Sequence, residues 1–105
     1  LLAKGFDTSC PISDFIPKDK VHNVNNLNLR LSVNGQVKQN GNTSDMIYKI
    51  PNLIAYISKF FRLEHGDLIL TGTPSGVSAV RDGDVIEAEL SDLTKIRYPV
   101  VELKQ

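Results

Sequence analysis

Tryptophan is absent from this sequence, and cysteine and methionine occur once each. The lone cysteine, Cys10, has no partner within the chain, so no internal disulfide staples the fold. That suits a reducing compartment or the mitochondrial matrix better than secretion. No apolar stretch approaches the roughly 20 residues that a membrane-spanning helix requires. Neither sign of charge prevails, since twelve basic residues meet twelve acidic ones. The charges are interspersed, which excludes the basic stripe of a dedicated nucleic-acid binder. Neither nucleic acid nor a membrane is therefore expected as a partner. The chain also lacks an initiator methionine and opens on Leu1-Leu2-Ala3-Lys4, so it reads as a piece of something longer. Internal repeats, low-complexity tracts and a dividing linker are missing too, and residues 1–105 read as one domain.

Hydrophobic residues make up 41% of the 105 positions. A chain of this size buries only about 65% of the surface its unfolded form exposes, so a thin core is expected. Ser9 to Pro17, bounded by Pro11 and Pro17, suits an edge or irregular strand. The polar connector Lys18 to Asn26 reads as surface loop. Leu27, Leu29, Leu31 and Val33 then alternate with Asn28, Arg30, Ser32 and Asn34, the period of a half-buried strand. Asn34-Gly35 is the preferred pair for a two-residue hairpin turn, with Gln36 to Asn40 returning. Ile50, Leu53, Ile54, Ile57, Phe60 and Phe61 fall on one helical face, which predicts a helix from about Pro51 to Arg62. Asp67 to Leu70, Val85 to Leu90 and Ile96 to Leu103 read as further strands. The class is α+β, mainly β, with one principal helix.

The loop Thr71 to Gly76 carries two glycines and three hydroxyls after an apolar run. Such a loop offers backbone N–H and O–H donors to an anion. It lacks the Gly-Lys-Ser/Thr ending of a nucleotide P-loop. A plain structural turn and a carboxylate-binding loop both remain open. Glu87 and Glu89 share one face of a strand and suit an oxygen-preferring cation, but alternating polar residues are also ordinary on the solvated face of a half-buried strand. His22 and His65 have no neighbour at metal-ligand spacing. Cys10 lacks an activating basic partner, and Lys4 on its own reads as a solvated lysine.

The segments Leu2-Ala3-Lys4-Gly5-Phe6-Asp7-Thr8-Ser9-Cys10-Pro11-Ile12-Ser13 and Gly66-Asp67-Leu68-Ile69-Leu70-Thr71-Gly72-Thr73-Pro74-Ser75-Gly76-Val77 together resemble the C-terminal half of the fumarylacetoacetate hydrolase family. The likeness is to its mitochondrial acylpyruvate hydrolase and oxaloacetate decarboxylase branch. Val33-Asn34-Gly35, the stretch Gln39 to Ile47, and Asp82-Gly83-Asp84-Val85-Ile86-Glu87 agree in order, so the likeness runs from about Leu2 to Glu102.

The resemblance implies the C-terminal part of a mixed β-sandwich or roll. It also implies metal-dependent cleavage of small β-keto or 2-oxo acids through a stabilised enolate, with Mg²⁺ or Mn²⁺ as the Lewis acid. Acylpyruvate hydrolysis, oxaloacetate decarboxylation and keto–enol tautomerisation share that core and all remain open. Lys4 falls on the family's active-site lysine, and Thr73 on the threonine that binds the substrate carboxylate, with Thr71 and Gly72 beside it. Glu87 matches a position that orients a histidine in some relatives, without that histidine here. The family's metal ligands belong to its N-terminal half, so no metal ligand is expected in this chain. A homo-oligomer, a dimer in the first instance, is expected, in the mitochondrial matrix or the cytoplasm. The alternative is an inactive fragment serving as an interaction or oligomerisation module.

Overall fold

The computed structural model describes residues 7–102. Four strands form one antiparallel sheet: β1 (Asn28–Val33), β2 (Gln36–Asn42), β3 (Val85–Leu90) and β4 (Thr94–Pro99), in the order β2-β1-β3-β4. The sheet is thus two hairpins joined side by side through β1 and β3. The first hairpin turns at Asn34-Gly35, both at positive φ, as the sequence predicts. The second turns through Ser91, and the amide of Leu93 donates to Leu90 O at 2.9 Å.

Strand alternation divides the sheet into two unlike faces. Leu29, Leu31 and Val33 of β1 stand beside Leu90, Ala88 and Ile86 of β3, and Ile96 and Tyr98 of β4 extend the same face. The opposite face carries charge: Glu89 meets Lys95 at 3.4 Å, and Glu87 meets Arg97 at 4.0 Å. These exposed pairs each contribute at most about 1 kcal/mol. A bulge interrupts the β1–β2 ladder, because Leu31 opposes Gln39 while Ser32 opposes Val37, leaving Lys38 as the extra residue.

The helix α1 (Ile50–Ile57) begins with Pro51 in its first turn, as expected, but stops five residues earlier than the apolar pattern predicts. Beyond Ile57 the bonding tightens, with the Phe60 amide donating to Ile57 O at 3.0 Å. Phe60 and Phe61 stay largely exposed, and the ring contact at Phe60 is local, Tyr56 edge-to-face at 5.3 Å, too little to extend the helix. Two expected strands do not form. Ser9 to Pro17 is irregular: Pro11 and Pro17 have no N–H to offer a ladder, and the segment is anchored by the Tyr98 hydroxyl, which donates to Ile12 O at 3.0 Å. Asp67 to Leu70 has no pairing neighbour among the described residues, and Leu68 and Leu70 stand exposed. The fourth strand ends at Pro99, short of the predicted Leu103, which lies outside the described residues.

The core is thin, as expected, and thinner than size alone requires. Among the described residues only Val33 and Thr43 are buried. The chain's accessible surface is 9096 Å², against about 5,800 Å² expected for a folded chain of this mass. Its radius of gyration is 15.3 Å, against about 13 Å for a compact chain of this length.

The Asn34 turn is also tied to the start of β3. Its side-chain amide donates to Asp84 Oδ1 at 2.9 Å, and its Oδ1 accepts from the Val85 amide at 2.9 Å. The Arg81 backbone N–H, first, and the Asn34 amide, second, hold the Asp84 carboxyl below the usual aspartate value of 3.8. A lowered folded value means that this contribution is complete above pH 3.8 and is lost as pH falls through the lowered value. Amide resonances of Arg81 and Asn34 should therefore hold steady from neutral pH down to about 4 and move only below it. A midpoint above the usual aspartate range would contradict these bonds.

Candidate functional site

Strand β2 presents Gln39 and Gly41 on the apolar face of the sheet, opposite Leu31 and Leu29. Against these two positions rests the loop Thr71 to Gly76. The Gln39 side-chain nitrogen Nε2 donates to Thr73 Oγ1 at 2.8 Å and to the Pro74 carbonyl at 2.7 Å. Gly41 leaves room for the proline: a Cβ at that position would come within 2.8 Å of Pro74 Cβ. The loop's far end is seated on the bulge, where a Cβ on Gly76 would meet the Lys38 carbonyl oxygen at 2.1 Å. Glycine in a strand interior marks the close approach of another segment, a signal that could have pointed to Gly41 had the strand been read past Asn40. Gln39 carries no such mark in composition or spacing.

The loop forms one wall of a cavity of about 580 Å³. Thr71, Gly72, Thr73 and Pro74 line one side, Leu27, Leu29, Leu53 and Leu90 give apolar floor, and Asn42, Thr43 and Asp45 add polar groups. An apolar hollow with a few convergent donors suits a small acid better than an extended polymer. Gly72 has φ +98° and open space where a Cβ would stand, so the loop backbone is accessible beside Thr73. Among the described lining residues there is no lysine or arginine, and Asp45 contributes negative charge.

The predicted site residues therefore divide. Thr71, Gly72 and Thr73 come together on one wall. Lys4 lies outside the described residues. Glu87 points to the opposite, charged face of the sheet, paired with Arg97, and does not meet the loop. The Glu87–Glu89 pair is the solvated face of an amphipathic strand. Among the described residues no group of three histidine, cysteine or acidic side chains could hold a metal, so they do not fit the family's divalent cation.

Comparison with known proteins places this geometry in a family. The model described as "Fumarylacetoacetate (FAA) hydrolase C-terminal" matches residues 1–101. The chain belongs to the fumarylacetoacetate hydrolase family. It is 52% identical over 105 residues to the mitochondrial oxaloacetate decarboxylase of Dictyostelium discoideum, covering 99% of this chain and 48% of that protein. It is 50% identical over 103 residues to the mitochondrial oxaloacetate tautomerase FAHD1 of Rattus norvegicus, covering 98% of this chain and 47% of that one. The crystal structure of maleylpyruvate hydrolase from Sphingobium sp. SYK-6 with manganese(II) and pyruvate superposes with a TM-score of 0.88 at 38% identity, over 91% of this chain and 37% of that chain. The chain spans about half the length of the curated relatives it matches.

Proposed function

We propose that this chain forms the carboxylate-binding wall of an enzyme that cleaves, decarboxylates or tautomerises a small 2-oxo acid. The observation that carries the reading is the Thr71–Pro74 loop on the rim of an apolar cavity, with Thr73 fixed by Gln39. The Thr73 hydroxyl and the loop amides hold the substrate carboxylate, and the apolar floor excludes water from the rest of it. An anion in a cavity whose described lining has no cation needs a positive charge from elsewhere, and Lys4 supplies it beside the developing enolate oxygen.

Chain reach allows that convergence. Ile12, eight positions after Lys4, is held to β4 by Tyr98, and eight extended residues span about 26 Å. The three strand spacings from β4 to β2 amount to about 14 Å. In this reading a divalent cation, Mg²⁺ or Mn²⁺, is held by residues that this sequence does not carry; the manganese(II) and pyruvate of the Sphingobium enzyme support a cation used together with a 2-oxo acid. The names of the Dictyostelium and rat relatives favour oxaloacetate as substrate and the mitochondrion as location. Surface well beyond that of a compact chain agrees with a domain that another polypeptide stretch completes.

A chimera in which this sequence replaces the matching half of the Dictyostelium relative tests the reading. It should turn over oxaloacetate and be inhibited by oxalate, a mimic of the enolate. Thr73→Val should weaken oxalate inhibition about tenfold or more, the loss expected for one hydrogen bond to a charged group. Unchanged inhibition would remove Thr73 from the carboxylate site.

A further inference from the structure

The Gln39 amide rules out one direction for the Thr73 hydroxyl proton. Pro74 O is an acceptor only, so the group 2.7 Å from it must be the Gln39 nitrogen and not its oxygen. One of the two Nε2 hydrogens is spent there. The other is directed at Thr73 Oγ1, 2.8 Å away. An amide nitrogen does not accept hydrogen bonds, so Thr73 Oγ1 is the acceptor in that contact. Its own proton must turn elsewhere, and no group among the described residues accepts it. A threonine free of this contact could turn its proton in any of three staggered directions. Here one lone pair is engaged by the amide, so the proton is kept from the side facing β2 and is left for the cavity.

We infer that Gln39 is a positioning residue, whose amide bars the Thr73 proton from turning toward β2 and so keeps it available to the carboxylate of a 2-oxo acid. The inference rests on the carboxylate-loop reading above and names the residue that orients that loop's donor. Gln39 acts through Thr73 and touches no substrate itself. The doubled bond also explains why the amide is needed where another side chain of similar size would fill the space. Only a group with two N–H hydrogens can satisfy Pro74 O and Thr73 Oγ1 together.

The test uses the full 105-residue chain, with pyruvate as the probe and the Gly72 and Thr73 amide resonances as the readout. Gln39→Glu keeps the shape of the side chain but at neutral pH can only accept. It takes up the Thr73 proton and should weaken pyruvate binding about tenfold or more at pH 7.5. The loss should shrink as pH is lowered through the ordinary glutamate range near 4.3, where the carboxyl regains a donor. In a Thr73→Val background the same substitution should cost less than about threefold, because no hydroxyl is left to reorient. Equal losses in both backgrounds would mean simple charge repulsion and would overturn the inference. So would displacement of the Gly72 and Gly76 amides in the ligand-free Gln39→Glu chain, which would mean that the loop has left β2. If pyruvate moves neither Gly72 nor Thr73 in the unsubstituted chain, the carboxylate-loop reading itself falls.

Discussion

Replacing Lys4 by alanine in the chimera with the Dictyostelium relative should lower oxaloacetate turnover by about a thousandfold while leaving the sheet intact. The cavity has no described cation in its lining, and Asp45 adds a negative charge to it. In the proposed mechanism a dianionic transition state there depends on the charge that Lys4 brings. Removing one preorganised stabilising group from a water-poor site typically costs 10²–10³ in rate, roughly 3–4 kcal/mol. The loss should fall on the chemical step, because the substitution leaves in place the carboxylate contacts proposed for Thr73 and the loop amides. Oxalate inhibition should therefore weaken less than turnover does. A Lys4→Ala chimera that keeps the parent rate would take the lysine out of the mechanism.

Gly76→Ala should displace the whole loop, whereas Gly72→Ala should leave it in place. Both glycines sit at positive φ, +103° and +98°, so both substitutions meet the same backbone penalty of about 1–3 kcal/mol. They differ in what the new methyl meets. At Gly72 nothing stands within 4 Å, while at Gly76 the Lys38 carbonyl oxygen lies 2.1 Å from the added carbon. That oxygen belongs to backbone held in a bulge and cannot swing aside as a side-chain tip would. Chemical denaturation should show Gly76→Ala as the less stable variant by roughly 2 kcal/mol or more. Amide shifts at Thr73 should confirm that its contact with Gln39 is lost in that variant alone. Equal destabilisation by the two substitutions would contradict the seating of the loop on the bulge.

The sheet was legible where the sequence carried its own period and turn. Leu29, Leu31 and Val33 alternate, Asn34-Gly35 meets the positive φ the hairpin requires, and Val85 to Leu90 forms as read. Legibility failed where structure depends on a neighbour. Asp67 to Leu70 has the composition of a strand, but a strand exists only against a partner. Phe60 and Phe61 continue the helical stripe, yet both stay largely exposed, with only the neighbouring Tyr56 ring against Phe60, and the helix ends at Ile57. The irregular course of Thr71 to Gly76 was legible because its two glycines and its proline break the apolar run before it. Gln39 was not, because a glutamine in a polar strand looks like any other until the bulge at Lys38 and the absent side chain of Gly41 bring the loop onto it.

The order of the strands also sets the order of assembly. Each hairpin closes across a short turn, on the timescale of about 1–10 μs. Joining them requires Leu29 to find Leu90 across about sixty residues of chain, a far costlier closure. The 71–76 loop lies within that long connection, so strand β2 exists as a template before the loop can settle on it. The loop is then among the last parts to form and among the first to come loose. Changes made to it act mainly on how fast the protein opens and little on how fast it folds.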